Sequence, residues 1–176
     1  MIEQLIKNTV RDIPNFPKEG IIFKDITTIF QDPQMCKDIV NAFVERLESL
    51  QIDAVVGVES RGFLLGPAIA MQLGVPFIPI RKAGKLPGAC LKQSYDLEYG
   101  SATIEMHKDV IAPGKKVLVH DDLLATGGTV LAAANLLKQI DVEVAGFAFI
   151  IELSFLEGAT KLKELNRPVI SLATYS

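Results

Sequence analysis

A small-residue loop preceded by two adjacent carboxylates is the part of this sequence that carries the most chemistry. Residues 116–129 read KVLVHDDLLATGGT, and a helix is predicted to follow over Val130–Ile140. The first turn of a helix has backbone N–H groups without intrahelical partners, and the helix dipole favours an anion there. Glycine also lets the backbone approach a phosphate closely. The sequence therefore predicts a phosphate site formed by Ala125, Thr126, Gly127, Gly128 and Thr129.

The acids Asp121 and Asp122 distinguish this loop from the common nucleotide-binding loops. A Walker A loop has a lysine directly before its final serine or threonine, and this loop has none before Thr129. The G-x-G-x-x-G dinucleotide fingerprint is also absent. Carboxylates beside a phosphate would repel it unless they face another group, and a carboxylate can accept hydrogen bonds from both hydroxyls of a vicinal diol. The run therefore favours a ribose 5-phosphate ligand over an ordinary strand–helix turn with exposed acids.

Two further polar turns follow predicted strands. Residues 59–62 read ESRG, which places the Ser60 hydroxyl and the Arg61 guanidinium near a helix N-terminus, a combination suited to pyrophosphate. Residues 81–88 read RKAGKLPG and concentrate three cations in one loop. Each turn alone has an ordinary explanation as solvated surface, but their positions after strands favour a binding role.

The pattern of elements predicts a parallel sheet with helices on both faces, because apolar strands alternate with helices along the chain. Ligands of such sheets bind beyond the carboxyl ends of the strands, so the three polar turns should converge on one crevice. A projecting antiparallel hairpin is predicted over Ser94–Tyr99 and Ser101–Met106. The predicted core strands are Asp53–Val58, Val75–Ile80, Lys116–Asp121, Val144–Ile151 and Val169–Leu172, and the other predicted helices open at Ile2, Asp32, Phe63 and Phe155.

Composition excludes several classes of protein. The chain has 176 residues, 49% of them hydrophobic, and a net charge of −3, which fits one folded domain and argues against a nucleic-acid binder. No apolar run reaches transmembrane length, and the first residues lack a secretory h-region. Cys36 and Cys90 make no disulfide framework and suit a reducing cytosol. His107 and His120 are too few for a histidine metal cluster, and His120 is predicted to be a packed neutral strand residue rather than a catalyst.

These motifs resemble those of the type I phosphoribosyltransferases. The run 116–129 is similar to their signature for phosphoribosyl pyrophosphate (PRPP), and residues 81–88 with SYDLEYG at 94–100 are similar to the lid of the adenine-specific members. The resemblance implies an α/β fold with a central parallel sheet flanked by helices, all in one domain over residues 1–176. It also implies a small hood segment at about residues 13–30, a flexible lid hairpin at about residues 81–106, and often a cis peptide at Glu59–Ser60.

The resemblance further implies the transfer of a phosphoribosyl group from PRPP to adenine, giving AMP and pyrophosphate. Asp121 and Asp122 would hold the ribose hydroxyls, Ala125–Thr129 the 5-phosphate, and Glu98 together with Arg61 would act in catalysis. The residues implied for pyrophosphate are Ser60, Arg61, Lys82, Lys85 and Tyr99. Those implied for the base are Ile22, Phe23, Lys24 and Leu153.

The expected cofactor is Mg²⁺ held mainly on PRPP oxygens, and the expected assembly is a cytoplasmic homodimer without nucleic-acid or membrane partners. Many relatives have arginine at the position of Lys24, so a backbone role and a side-chain role for this residue both stay open. Phe23 is interpreted as a base-stacking residue or as simple core packing. Two other functions also stay open: transfer to another purine base, and a non-catalytic regulator that senses PRPP.

Overall fold

Within residues 1–97 and 100–176, which the computed structural model describes, the chain forms five helices, nine strands and two short 3₁₀ turns. The helices are α1 (Ile2–Thr9), α2 (Pro33–Leu47), α3 (Gly62–Leu73), α4 (Gly128–Lys138) and α5 (Gly158–Lys163). The strands are β1 (Arg11–Pro14), β2 (Ile22–Asp25), β3 (Ala54–Val58), β4 (Phe77–Lys82), β5 (Cys90–Asp96), β6 (Ser101–His107), β7 (Lys116–Leu124), β8 (Glu143–Leu153) and β9 (Val169–Tyr175).

Seven strands form one sheet in the order β5-β6-β4-β3-β7-β8-β9, and β1 and β2 form a separate antiparallel hairpin. Five neighbouring strands of this sheet pair in parallel, in the order β4-β3-β7-β8-β9, which confirms the predicted parallel core. β6 pairs antiparallel with β4 only at Arg81 and Lys82, whereas β5 and β6 pair over seven residue pairs. The predicted hairpin is therefore attached to the sheet at its base and projects beyond it.

Alternation along the strands divides the core between the two faces of the sheet. Val117 and Val119 of β7 face a cluster covered by α4, while Leu118 faces a second cluster that α2 and α3 cover. The largest wholly buried side chains include Phe147 and Phe149 on the first face and Phe43 on the second. Each face buries aliphatic side chains completely, so apolar burial on both sides holds the strand ends in fixed relative positions.

Local signals set the element ends well in two places. The Asp32 side chain accepts a hydrogen bond from the Gln34 N–H at 2.8 Å, and Pro33 occupies the first turn of α2, as the sequence predicts. Gly74 ends α3 in the left-handed region at φ +68. The Val75 N–H then bonds to Ala70 O, so Val75 completes the helix cap, and the predicted start of the next strand at Val75 is wrong by two residues.

Other predicted boundaries are also wrong. β5 begins at Cys90 and not at Ser94, and α4 covers Gly128–Lys138 and not Val130–Ile140. β7 continues beyond the predicted Asp121 to Leu124, so Asp122 also belongs to the strand. The single helix predicted from Phe155 is a 3₁₀ turn over Ser154–Leu156 and then α5, because Glu157 between them is left-handed at φ +56. β9 extends beyond the predicted Leu172 and pairs with β8 as far as its last residue. No helix in the described part of the chain combines the length and apolar composition needed to cross a bilayer.

His120 is wholly buried on the α2 side of β7, as predicted. Its Nδ1 lies 3.0 Å from Ala148 O, and since a carbonyl only accepts, Nδ1 carries the proton of a neutral ring. Its ring packs edge-on against Phe43, with centroids 5.6 Å apart. Burial lowers the pKa of His120 to about 4, against an ordinary 6.5, while the hydrogen bond to Ala148 opposes the shift.

This buried histidine predicts a specific loss of stability in mild acid. Below pH 6.5 the unfolded chain protonates His120 before the folded chain does, so the free energy of unfolding falls between pH 6.5 and about pH 4. The full loss is about 3 kcal/mol. Urea unfolding of wild type and His120→Leu at pH 7.0, 5.5 and 4.5 measures it. As the pH falls, the free energy of unfolding of wild type should fall relative to that of His120→Leu. The His107→Gln variant should lose stability with falling pH as wild type does. Parallel curves for wild type and His120→Leu would contradict the assignment.

Candidate active site

Two adjacent carboxylates end the central strand β7 beside an arginine from α3. Asp122 is 2% exposed, and its Oδ2 lies 3.2 Å from Arg61 Nε. Asp121 is half-buried, and its Oδ1 accepts the Asp122 N–H at 2.8 Å. Within residues 1–97 and 100–176, the buried Asp122 Oδ2 has no hydrogen-bond partner. This oxygen is ion-paired with Arg61 but accepts no hydrogen bond, which is costly for a buried carboxylate, so it is suited to accept one from a ligand.

Glycine explains how Arg61 reaches this position. A Cβ on Gly62 would lie 2.8 Å from His120 O and 3.3 Å from the Asp121 Cα, so only glycine allows α3 to begin this close to β7. The approach places the residue before Gly62 directly against Asp122. The ESRG turn and the acids of β7, which are far apart in sequence, therefore form one site.

Burial raises the pKa of both carboxyl groups. The adjacent Asp122 raises that of Asp121 further, whereas the Arg61 guanidinium lowers the pKa of both and opposes the effect of burial. Two close acids cannot both ionise easily without a cation nearby. The pair therefore favours a ligand that brings hydroxyl donors or positive charge.

The predicted phosphate loop lies next to the acids and encloses a cavity of about 190 Å³. Gly127 is left-handed at φ +78 and precedes α4, whose first turn therefore faces the cavity. A Cβ on Gly158 would overlap Ala125 O, so the loop packs directly on the backbone at the start of α5. The cavity is lined by Arg61, Asp121, Asp122 and the loop residues Ala125, Thr126, Gly127, Gly128 and Thr129, so the structure brings these predicted residues together.

The predicted cations of the loop 81–88 contact a carboxylate of their own chain. Glu59 accepts hydrogen bonds from the Lys82 backbone N–H at 2.9 Å, from Lys85 Nζ at 2.9 Å and from Arg81 at 3.3 Å. Burial alone would raise the pKa of Glu59, but these hydrogen bonds outweigh it and lower the pKa to about 2. Lys85 is thus held by Glu59, while the Lys82 side chain is exposed. The Glu59–Ser60 peptide is cis, as the resemblance implies, and Ser60 is exposed.

A second carboxylate holds the same loop. Glu105 of β6 is buried, and its Oε1 accepts the backbone N–H groups of Lys85 and Leu86 at 2.9 Å each. The pKa of Glu105 is lowered, and the hydrogen bond from the Leu86 N–H is the largest cause. The start of the predicted lid is therefore fixed to the sheet by Glu59 and Glu105. Neither role was predicted from the sequence.

The hairpin lies next to the phosphate loop. Thr129 Oγ1 lies 3.2 Å from Tyr95 Oη and donates to it, and a cavity of about 650 Å³ separates the hairpin residues 95–97 from the loop and from Lys161 of α5. Tyr95 and Lys161 line this cavity, and neither was predicted from the sequence as a site residue. Lys161 carries no local signal, because only the packing of α5 brings it near a loop about 30 residues earlier. Glu98 and Tyr99, predicted for catalysis and pyrophosphate, lie outside the described residues.

The predicted base-binding residues lie on two walls. Phe23 of β2 packs edge-on against Phe16 at 5.2 Å, and the Arg61 guanidinium lies 5.9 Å from its ring centroid, so β2 lies next to the diacid site. Ile22 is exposed, and Lys24 binds Asp12 through its side chain. Leu153 ends β8 and is half-buried. Phe23 therefore packs on Phe16, which is itself 52% exposed, and lies beside Arg61 at the site.

Comparison with known proteins gives the class of this fold and site. The family model described as phosphoribosyl transferase domain matches residues 25–172. An adenine phosphoribosyltransferase of Cytophaga hutchinsonii is 51% identical over 175 residues, which cover 99% of this chain and 97% of that protein. The chain therefore belongs to the phosphoribosyl transferase family and, within it, to the adenine phosphoribosyltransferases.

Solved structures agree with this family. The crystal structure of adenine phosphoribosyltransferase from Thermoanaerobacter pseudethanolicus superposes with a TM-score of 0.94 at 42% identity, covering 99% of this chain and 100% of that one. The enzyme from Saccharomyces cerevisiae, complexed with adenine and an imino-altritol bisphosphate, gives a TM-score of 0.90 at 44% identity and covers 97% and 98%. The implied phosphoribosyltransferase fold is thus confirmed over nearly the whole chain.

Proposed function

We propose that this protein transfers a phosphoribosyl group from PRPP to adenine, giving AMP and pyrophosphate in purine salvage. The observation that carries the proposal is the buried Oδ2 of Asp122 beside a glycine loop. This oxygen is ion-paired with Arg61 but accepts no hydrogen bond among the described residues, so a hydroxyl acceptor lies next to a phosphate site. Relatives with the same fold support the choice of adenine, because the Saccharomyces cerevisiae enzyme is complexed with adenine and a sugar-like bisphosphate.

Asp121 and Asp122 would hold the ribose hydroxyls, and Ala125–Thr129 would hold the 5-phosphate. In the reaction the N9 of adenine bonds to C1 of the ribose while the bond from C1 to pyrophosphate breaks. The ribose then resembles an oxocarbenium ion, as in glycoside hydrolysis. Ionised carboxylates near the sugar favour that positive charge, so the acids would act most strongly in the transition state.

The leaving pyrophosphate carries the negative charge that the cations of the site would stabilise. Arg61 lies nearest to the acids, and Ser60 is exposed beside it. Lys82, Lys85 and Tyr99 are the other proposed contacts. Because Glu59 stays ionised with a pKa of about 2, pyrophosphate would compete with it for Lys85. Binding of PRPP would thus rearrange the loop 81–88.

The adenine ring would lie between the hood segment and Leu153. Phe23 would stack on the base, since its ring lies next to Arg61. The Lys24 ammonium binds both carboxylate oxygens of Asp12, at 2.7 and 2.8 Å, so Lys24 and Ile22 would read the base through backbone groups. This favours the backbone role over the side-chain role for Lys24.

Glu98 is proposed to take the N9 proton of adenine once the lid covers the site, with Arg61 assisting through the departing pyrophosphate. The proposal for Glu98 rests on the family resemblance of residues 94–100. General acid–base help of this kind contributes about 10²–10⁴-fold. Single-turnover rates of Glu98→Gln would test it, and an unchanged rate of chemistry would remove Glu98 from this role.

Mg²⁺ is the proposed cofactor, carried on the oxygens of PRPP. Its hard preference for oxygen and water matches the oxygen atoms of PRPP. Among the described residues no group of three or more His, Cys, Asp or Glu side chains can enclose a metal. When bound, Mg²⁺ would neutralise the charge of the leaving group.

We also propose a cytoplasmic homodimer. Helix α3 is apolar on its outer side as well, with Leu64 48% and Met71 82% exposed, and exposed apolar surface of this kind is typical of an interface. The resemblance adds that cations of the loop 81–88 can reach the neighbouring site. Cys36 and Cys90 are free thiols, which suits a reducing compartment. Light scattering that gives a monomer mass at assay concentration would contradict the dimer, and cell fractionation checks the location.

The substrate assignment predicts a clear order of bases. With PRPP and Mg²⁺, purified protein should convert adenine to AMP and use hypoxanthine, guanine and xanthine far more weakly. Residues 150–153 read IIEL and offer no lysine for a 6-oxygen. Liquid chromatography of the products measures each rate. Equal turnover of the four bases would favour a broader purine enzyme, and binding of PRPP without turnover would favour the regulator.

The ribose assignment predicts that Asp122→Asn raises the KM for PRPP or lowers kcat while the fold is retained. An amide presents a donor where the ribose hydroxyls need an acceptor, and loss of one such bond to a charged group costs about 1.5–3 kcal/mol, or roughly 10- to 150-fold. Steady-state kinetics and circular dichroism measure both. The exposed turn residue Asp109 supplies the control, because Asp109→Asn should match wild type. Wild-type kinetics for Asp122→Asn would remove the carboxylate from this role.

A further inference from the structure

We propose that Tyr175 is a positioning residue for the purine, because its ring fixes the hood strand β2 relative to Leu153 through contact with the Lys24 ammonium. The inference rests on the proposed function, since it concerns the gap that receives the base. Tyr175 is the last residue of β9 and next to the end of the chain. Nothing in the sequence pattern around it indicates a role at the site.

The contact between Lys24 and Tyr175 is close and shielded. Lys24 Nζ lies 4.4 Å from the centroid of the Tyr175 ring, well within the range of a cation–π contact. The same ammonium binds both oxygens of Asp12, which is the partner of Lys24 in the β1–β2 register. Only 15% of the Lys24 side chain is exposed, so solvent weakens its contact with the ring little, whereas Asp12 is 54% exposed and its ion pair with Lys24 is screened more. The ammonium therefore joins the hairpin β1–β2 to the end of β9.

Tyr175 is equally well attached to the other wall. It pairs with Leu153 in the parallel register of β8 and β9, and its carbonyl accepts a hydrogen bond from Ser154 Oγ at 3.0 Å. Adjacent strands lie about 4.8 Å apart, so the backbone of Tyr175 fixes its position relative to Leu153. One residue thus holds both the strand that would read the base and the residue that would line its opposite side.

The ring and not the hydroxyl makes this contact. Tyr175 Oη is buried and has no hydrogen-bond partner in the described part of the chain. A phenylalanine would keep the ring face over Lys24 and lose no hydrogen bond. A leucine would keep an apolar side chain and remove the attraction of the ring for Lys24 and for Lys7, whose Nζ lies farther away at 5.6 Å from the ring centroid. This difference separates the proposed role from simple packing.

The effect should appear on adenine and not on PRPP. Lys24 and Leu153 belong to the proposed base walls, whereas the acids and the phosphate loop belong to β7 and α4. A misplaced wall would weaken base binding in ground state and transition state alike, which raises KM without changing kcat. A shielded cation–π contact corresponds to about 5- to 30-fold in binding.

The experiment measures KM for adenine, KM for PRPP and kcat for Tyr175→Leu, Tyr175→Phe and Lys24→Met. Tyr175→Leu and Lys24→Met should each raise KM for adenine about 5- to 30-fold. Tyr175→Phe should keep KM for adenine within about twofold of wild type, and Tyr175→Leu should keep its KM for PRPP and its kcat. The double variant Lys24→Met/Tyr175→Leu should raise KM for adenine by less than the product of the two single effects, because both changes remove the contact between Lys24 and the ring.

A matched control lies at the opposite end of the same two strands. Arg167 precedes β9 and pairs with Glu143 at the start of β8, so Arg167→Gln removes a surface contact of these strands far from the site. It should leave KM for adenine unchanged. Lys24→Met keeps the Tyr175 ring in place and so tests the same contact if Tyr175→Leu folds poorly.

Two results would overturn the inference. If wild type uses adenine but both Tyr175→Leu and Lys24→Met keep its KM for adenine, Tyr175 stabilises the fold only, even where melting temperatures fall. If Tyr175→Phe is as impaired as Tyr175→Leu, the ring contact is not the cause. A wild type that does not use adenine would instead reject the proposed function, and that result is read before any variant is measured.

Discussion

The burial of an incompletely paired carboxylate at the end of β7 is the constraint on which the rest of this structure depends. Removing Asp122 from water costs free energy, and Arg61 compensates only part of it, because the Oδ2 of Asp122 accepts no hydrogen bond in the described residues. The fold bears this cost because apolar side chains cover both faces of β7. The Oδ2 of Asp122 can still accept a hydrogen bond, which a ligand with hydroxyl groups can donate.

The position of Arg61 follows from the same constraint. Gly62 lets α3 start against β7, so that one guanidinium neutralises part of the acid pair and also lies beside the Phe23 ring. The three elements that meet there come from distant parts of the sequence. Arg61 is therefore the point at which the proposed ribose, pyrophosphate and base contacts join. Any change that moves α3 away from β7 would affect all three.

The sequence predicted the structure correctly where a local motif both forms an element and carries the candidate site residues. The run 116–129 predicted a strand, a loop and a helix whose residues line one cavity, and Asp32 with Pro33 predicted the start of α2. The sequence did not predict the features that depend on contacts between distant parts of the chain. β7 extends through the acids because β8 pairs with it as far as Leu124, and β9 reaches Tyr175 because β8 continues beside it. The acids Glu59 and Glu105 resemble surface residues until the fold brings the loop 81–88 onto them.

Glu59 gives the clearest example of what only the fold reveals. A cluster of cations reads in sequence as a ready anion site, yet here Lys85 and Arg81 already bind a carboxylate that remains ionised. An anionic ligand at these cations would therefore have to replace an existing partner. Because the Glu59 side chain is only 9% exposed, a ligand that took Lys85 would leave a nearly buried, ionised carboxylate with fewer partners. Glu59 thus keeps the loop in order in this structure, and binding at Lys85 would require the loop to rearrange.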